Sequence, residues 1–138
     1  MFQRMLVPVD LTQKNAHAVE TARDLAAESG GTVTLLHVIE TLDLPFEELE
    51  AFYARLEEKA RRAMEEMAEP LQEAGLSFAR RVSYGRRAEE IVDFAAEEDS
   101  DLIILSSHRI DLEKPGSSWT TLSYKVAILA QCPVLLVK

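Results

Sequence analysis

The sequence is short of cysteine, tryptophan, glycine and proline: among 138 residues there are one Cys, one Trp, five Gly and five Pro. The single thiol, Cys132, closes no internal disulfide and has no second thiol for a metal pair, which leaves it the part of a small buried residue beside Pro133. So few glycines and prolines leave no room for a low-complexity linker. Long apolar runs are missing too. None approaches the roughly 18 residues of a membrane span, and the N-terminal MFQRMLVPVDLT reaches Asp10 too soon for a signal sequence, so a cytoplasmic location is expected. Basic residues are in deficit, 15 against 24 acidic, for a net charge of −9. That charge repels phosphates at long range and argues against nonspecific binding to nucleic acid or to an anionic membrane. The deficit is uneven. From His108 to Lys138, Arg109, Lys114, Lys125 and Lys138 face only Asp111 and Glu113, a local +2, so the first 107 residues carry −11. The C-terminal quarter is the place for an anion.

What is present is 47% hydrophobic and 28% charged, a globular composition in one domain, residues 1–138. Five short runs rich in branched residues, Met5 to Val9, Thr32 to Ile39, Ser77 to Ser83, Leu102 to Leu105 and Val134 to Val137, alternate with segments of helical period. MLVPV, LIIL and VLLV show no polar alternation, as strands covered on both faces should. The first helix is expected from Thr12, whose hydroxyl can cap it, to Gly30-Gly31, with Ala18, Ala22, Leu25 and Ala26 on one face. A second runs from about Pro45 to Ala74 with Phe46, Leu49, Phe52, Leu56, Ala60, Ala63 and Met67 inward, kinked or split at Pro70. A third follows Gly85, with Ala88, Ile91, Val92 and Ala95 inward. The fourth starts near Thr120 or Thr121 and buries Leu122, Val126, Leu129 and Ala130 before Pro133. The order βαβαβαβαβ with right-handed crossovers makes an α/β fold with a parallel sheet and helices on both faces.

In such sheets ligands sit beyond the carboxyl ends of the strands, where strand order reverses. That rule selects Pro8-Val9-Asp10-Leu11-Thr12, His37-Val38-Ile39-Glu40 and Ser106-Ser107-His108-Arg109. Asp10 emerges at a strand tip, either to accept hydrogen bonds from ribose hydroxyls, to hold a divalent cation, or to cap the first helix with Thr12. The start of the fourth helix offers unpaired N–H groups and the hydroxyls of Thr120, Thr121 and Ser123, suited to an anion or simply to capping. His17 is expected on an exposed helix face, His37 packed within its strand, and His108 solvated in a loop. No Walker loop, nucleophile elbow, paired acidic residues after the first strand or metal-spaced His/Cys pair is found.

Together Pro8-Val9-Asp10, Leu35-Leu36-His37-Val38, Tyr84-Gly85, the segment from Ala88 to Arg109 and Cys132-Pro133-Val134-Leu135-Leu136-Val137 resemble the universal stress protein family along the whole chain. The resemblance implies a five-stranded parallel sheet of order 3-2-1-4-5, Rossmann-like and similar to adenine nucleotide alpha hydrolases. It also implies a homodimer formed by antiparallel pairing of the last strands, here Val134, Leu135, Leu136 and Val137. Many members bind ATP or a related adenine nucleotide, ADP or AMP, with or without Mg2+. By that resemblance Asp10, with Pro8 and Val9 beside it, meets the ribose and Val38 the adenine, while a loop of pattern G-x-x-G…G-[ST] surrounds the phosphates.

Here the pattern breaks. Ser106 and Arg109 stand at the first two glycine positions and Thr120-Thr121 on the terminal pair, with one extra residue between. A β-carbon there restricts close approach of backbone to phosphate, whereas hydroxyls and Arg109 keep donors near it. Ser106, Ser107, Arg109, Thr120, Thr121 and the N–H of Leu122 are therefore the expected phosphate contacts. Gly116 and Ser117 are read as turn formers, and Trp119 either fills the triphosphate space or stacks on a base. The reading that follows is a stress-response protein binding an adenine nucleotide. Its rivals are a dimeric interaction protein with a degenerate pocket and, at lower weight, a slow nucleotide hydrolase, for which no general base is in view.

Overall fold

The computed structural model describes residues 1–107, 113 and 121–138. Five strands, β1 (Arg4–Pro8), β2 (Thr32–Glu40), β3 (Phe78–Gly85), β4 (Leu102–Ser106) and β5 (Val134–Val137), form one sheet of order β3-β2-β1-β4-β5. Every pairing is parallel. The helices are α1 (Ala16–Ser29), α2 (Phe46–Met67), α3 (Glu69–Glu73), α4 (Arg87–Glu97) and α5 (Leu122–Leu129).

Alternate strand residues explain the unbroken apolar runs. Met5, Val7, Leu35, Leu102 and Ile104 join a core with Ala18, Ala22, Ala60, Met64 and Leu71 from α1, α2 and α3. Leu6, Leu36, Ile103 and Leu105 point the other way, onto Ala88, Ile91 and Ala95 of α4 and Val126 of α5. The central strands are thus clothed on both sides, and each fully buried aliphatic side chain contributes about 1.5–3 kcal/mol.

Several expected details change. The predicted second helix is two: Pro70 stands in the first turn of α3, where its missing N–H is not needed. The inward stripe of α2 keeps Ala60, which is fully buried, but at Phe52, which is 40% exposed, it gives way to Tyr53, which is 2% exposed. Tyr53 wins because its hydroxyl accepts the Leu42 N–H at 2.9 Å, a satisfied polar tip on a buried ring. Leu129 stays exposed, because the short α5 turns only Val126 fully onto the sheet. Thr12 does not cap α1 with its hydroxyl; a 3-10 turn, Gln13–Asn15, intervenes. Gly30 ends α1 at φ 73, and Gly31 is held to glycine because a β-carbon would lie 2.6 Å from the Phe2 carbonyl oxygen.

Candidate functional site

The β1 and β4 strands part at their C-terminal ends, and Pro8 is the reason. The Val9 N–H donates to the Leu36 carbonyl of β2 at 2.8 Å, so the preceding backbone nitrogen faces β4, and at Pro8 that nitrogen carries no hydrogen. Pairing of β1 with β2 continues to Pro8, whereas pairing with β4 ends at Leu6. A crevice opens between the tips.

Its walls are Pro8, Val9 and Asp10 from the end of β1, Leu36 and Val38 from β2, and Leu105 and Ser106 from β4. Asn15, Arg87, Ile91 and Leu122 complete it. The cavity measures 60 Å3. Of the sequence-selected residues, Pro8, Val9, Asp10, Val38, Ser106 and Leu122 are thus brought together. Ser107 stands just outside, its N–H donating to the Val137 carbonyl at 2.8 Å and its hydroxyl accepting from Lys138 Nζ at 3.4 Å. Thr121 is the N-cap of α5, its Oγ1 accepting the Tyr124 N–H at 3.4 Å. Arg109, Thr120, His108, Trp119, Gly116 and Ser117 lie outside the described residues.

Asp10 does not cap α1 together with Thr12. Its Oδ1 accepts the Thr12 N–H at 2.9 Å and the Thr12 hydroxyl at 2.6 Å, a local turn that orients the carboxylate without capping α1. Leu11, inside that turn, takes φ 70, a left-handed conformation that costs a non-glycine residue about 1–2 kcal/mol. The two bonds to Asp10 and the packing of the Leu11 side chain on the α1 side of the core hold it there. Asp10 itself is exposed and presents its carboxylate at the mouth of the crevice.

Asn15 escaped the sequence reading. It is 3% exposed, accepts the Asp10 N–H on Oδ1 at 2.9 Å, and donates from Nδ2 to the Ser106 hydroxyl at 3.1 Å. One side chain therefore bridges the two strand tips that the backbone leaves apart. The one available signal was an amide side chain at the mouth of an alanine-rich helix, where a cap was expected. Arg87 was missed as well; it stands at the start of α4, its Nε 3.6 Å from Glu40 Oε1. Nothing in its spacing marks it.

Two of the histidines behave as expected. His37 is packed, its Nδ1–H donating to the Val9 carbonyl at 2.8 Å, and His17 lies exposed on α1. Cys132 is half-buried against the α4 side of the core, and burial pushes its thiol pKa up. Among the described residues no cluster of three His, Cys, Asp or Glu is arranged to hold a metal ion. No helix among them is long and apolar enough to cross a membrane.

A parallel sheet clothed on both faces, with a crevice where strand order reverses between β1 and β4, defines a Rossmann-like α/β fold. The chain belongs to the universal stress protein family, which it matches over residues 1–138. It is 28% identical to the universal stress protein YxiE of Bacillus subtilis (strain 168), spanning the whole of both chains. Among solved structures it resembles the hypothetical protein MJ0577, at 26% identity and TM-score 0.81 over 100% of this chain and 97% of that one. Another is the hypothetical protein PH0823, at 33% identity and TM-score 0.73 over 100% and 96%. Two more distant structures share the fold. A universal stress protein in complex with cAMP is 19% identical with TM-score 0.73, over 99% of this chain and 96% of that one. One from Archaeoglobus fulgidus in complex with dAMP is 17% identical with TM-score 0.72, over all of both chains.

Proposed function

We propose that this protein is a cytoplasmic stress-response protein that binds an adenine nucleotide at the tips of β1, β2 and β4 and works as a homodimer joined through β5. The observation that carries the reading is the convergence of Asp10, Val38, Ser106 and Leu122 on one crevice. Asp10 would accept hydrogen bonds from ribose hydroxyls, and the backbone of Val38 would meet the base. Ser106, Ser107, Arg109, Thr120, Thr121 and the Leu122 N–H would surround the phosphates, with Mg2+ shared between the phosphates and water. The support is positional and comes from relatives of the same fold, whose structures hold cAMP and dAMP. Turnover is outside the proposal, because the sequence marks no residue as general base for an attacking water.

The test is to denature the purified protein, look for released nucleotide, and run melting series with ATP, ADP and AMP with and without Mg2+. Ligand at a hundred times its dissociation constant adds about 2.7 kcal/mol. For a domain of this size that is a rise of about 10 °C. Neither released nucleotide nor any shift at millimolar ATP would reject the reading. It would leave the rival of a dimeric interaction protein with a degenerate pocket. One observation favours that rival: the 60 Å3 crevice is far below the roughly 300 Å3 at which small-molecule sites begin.

A further inference from the structure

Large apolar side chains are exposed in two places among the described residues besides the N-terminal Met1. One group lies on α5 and β5; the other, Leu42, Leu44 and Phe52, lies where β2 leads into α2. Leu42 and Leu44 are 54% and 55% exposed. The Leu42 N–H donates to the Tyr53 hydroxyl at 2.9 Å, and the Tyr53 ring centre stands 5.7 Å from that of Phe52, so the loop is tied down beside the first turns of the helix. Leu49, half-buried, precedes Phe52 by three residues on the same helical face. A single exposed leucine needs no explanation, but a tied-down group of apolar side chains does.

Carboxylates surround this patch. Asp43, Glu47, Glu48 and Glu50 are all exposed, and no basic residue stands between His37 and Arg55. Among the described residues none of the four forms an ion pair. Glu47 and Glu48 occupy the first turn of α2, where the helix dipole favours them, but that accounts for neither Asp43 nor Glu50 nor the leucines. Charge of one sign around an apolar patch selects its occupant. A second copy laid face to face would set carboxylates against carboxylates, and an anionic bilayer would be repelled for the same reason. A helix with an apolar stripe flanked by lysine or arginine satisfies both kinds of group at once.

We propose that the β2–α2 junction is a docking surface for a basic amphipathic helix of a partner protein, seated on Leu42, Leu44 and Phe52 and held in register by Asp43, Glu47 and Glu50. The inference is independent of the nucleotide reading, since none of these residues lines the crevice. It is separate from the β5 edge as well. In the sheet β1 and β4 stand between β2 and β5, so a dimer joined through β5 leaves the surface open.

The probe is a fluorescein-labelled peptide of leucine and lysine with its leucines at helical spacing, titrated by anisotropy against the full-length protein. A peptide of the same composition, reordered so that no apolar face forms, is the comparison, and amide chemical shifts map the contact. The ordered peptide should bind at least about tenfold more tightly, shift residues 41–56, and weaken as salt is added. Leu42→Ser/Leu44→Ser should lose about tenfold or more. Both side chains are exposed and the bond to Tyr53 comes from the Leu42 backbone, so the fold is kept, which far-UV circular dichroism checks. Asp43→Asn/Glu47→Gln/Glu50→Gln should lose a similar factor and flatten the salt dependence. Glu73→Gln/Asp93→Asn/Glu97→Gln removes as much charge from exposed positions elsewhere and should leave affinity nearly unchanged. No binding, equal binding of the two peptides, equal loss in the two charge variants, or shifts centred away from residues 41–56 overturns the proposal. Two further results overturn it by naming another occupant. Slower sedimentation of Leu42→Ser/Leu44→Ser than of the wild type assigns the patch to a second copy, and binding of the wild type but not that variant to phosphatidylserine vesicles assigns it to a membrane.

Discussion

Asn15 does more for the site than its ordinary sequence context suggests. It is buried, and both ends of its amide are used, on the Asp10 N–H and the Ser106 hydroxyl. Replacing it by Ala leaves the Asp10 N–H without its acceptor at the floor of the crevice, which costs about 1–3 kcal/mol. Asn15→Ala is therefore expected to lower the denaturant midpoint without changing the m-value, and to weaken ligand binding because Asp10 and Ser106 are no longer held in register. Full stability in that variant would show that water replaces the amide and that the bridge is incidental. Leu11 supplies the complementary case. Its φ of 70 is forced by the turn that Asp10 and Thr12 close, so local strain sits one residue from the carboxylate at the crevice.

At the level of elements, α2 is fastened to the edge strand β3 by a polar tie over an aromatic pair. The Tyr84 hydroxyl donates to Glu57 Oε2 at 2.6 Å, Arg61 donates to the other carboxylate oxygen of Glu57, and the rings of Tyr53 and Tyr84 meet edge to face at 5.8 Å. Burial first, and then the bond to Glu57, push the Tyr84 pKa from its ordinary 10.0 to about 12. The bond from Tyr84, followed by that from Arg61, holds the Glu57 pKa below its ordinary 4.5. The signs follow. The tyrosine's contribution is complete below pH 10 and is lost as the pH climbs toward about 12, because the unfolded chain ionises first. The Glu57 contribution is present above its ordinary pKa and is lost as the pH falls through the lowered one. Tyr84→Phe keeps the ring contact and removes the tie, so near pH 7 it should cost about 1 kcal/mol. Chemical denaturation across pH should show the gap between wild type and variant closing between pH 10 and about 12. A gap that does not change with pH would mean that the hydroxyl is solvated rather than bonded.

The altered stripe on α2 belongs to the same scale. Periodicity located a helix with an apolar face, but a spacing of three and four residues does not distinguish Phe52 from Tyr53. The choice was made by an acceptor for the Leu42 N–H, which only the phenol can offer. Pro70 was legible as an interruption, because a missing N–H disturbs any helix interior. That the chain would restart as α3 and bury Leu71 depended on the core it met.

The whole molecule has two sheet edges of opposite character. Along β3 the exposed Arg80 and Arg81 guard the open backbone, one near Glu65 and the other over the Phe94 ring. Along β5 no charge stands between Val134 and Val137, Leu135 is 38% exposed, and Tyr124, Ile128 and Leu129 of the adjoining α5 are exposed as well. An unguarded apolar edge beside an apolar helix face suits a second copy better than water. Sedimentation velocity should find the wild type dimeric and Leu135→Arg monomeric, with an unchanged far-UV spectrum because the new side chain stays at the surface. A wild type that remains monomeric at high micromolar concentration would remove β5 as the dimer edge.

Apolar runs without alternation and helical spacing between them determined by themselves that this is a doubly wound parallel sheet, whose strand tips are where a crevice opens. Those features act locally or through burial on both faces, and such patterns survive in one dimension. Which residues build the site was decided in three dimensions. Pro8 parts β1 from β4 only because its nitrogen faces β4, and Asn15 matters only because Ser106, 91 residues away in sequence, comes within 3.1 Å. Arg87 and Leu122 wall the crevice together only because α4 and α5 pack side by side on one face of the sheet. No spacing rule contains those distances; the packing of the helices on the sheet creates them.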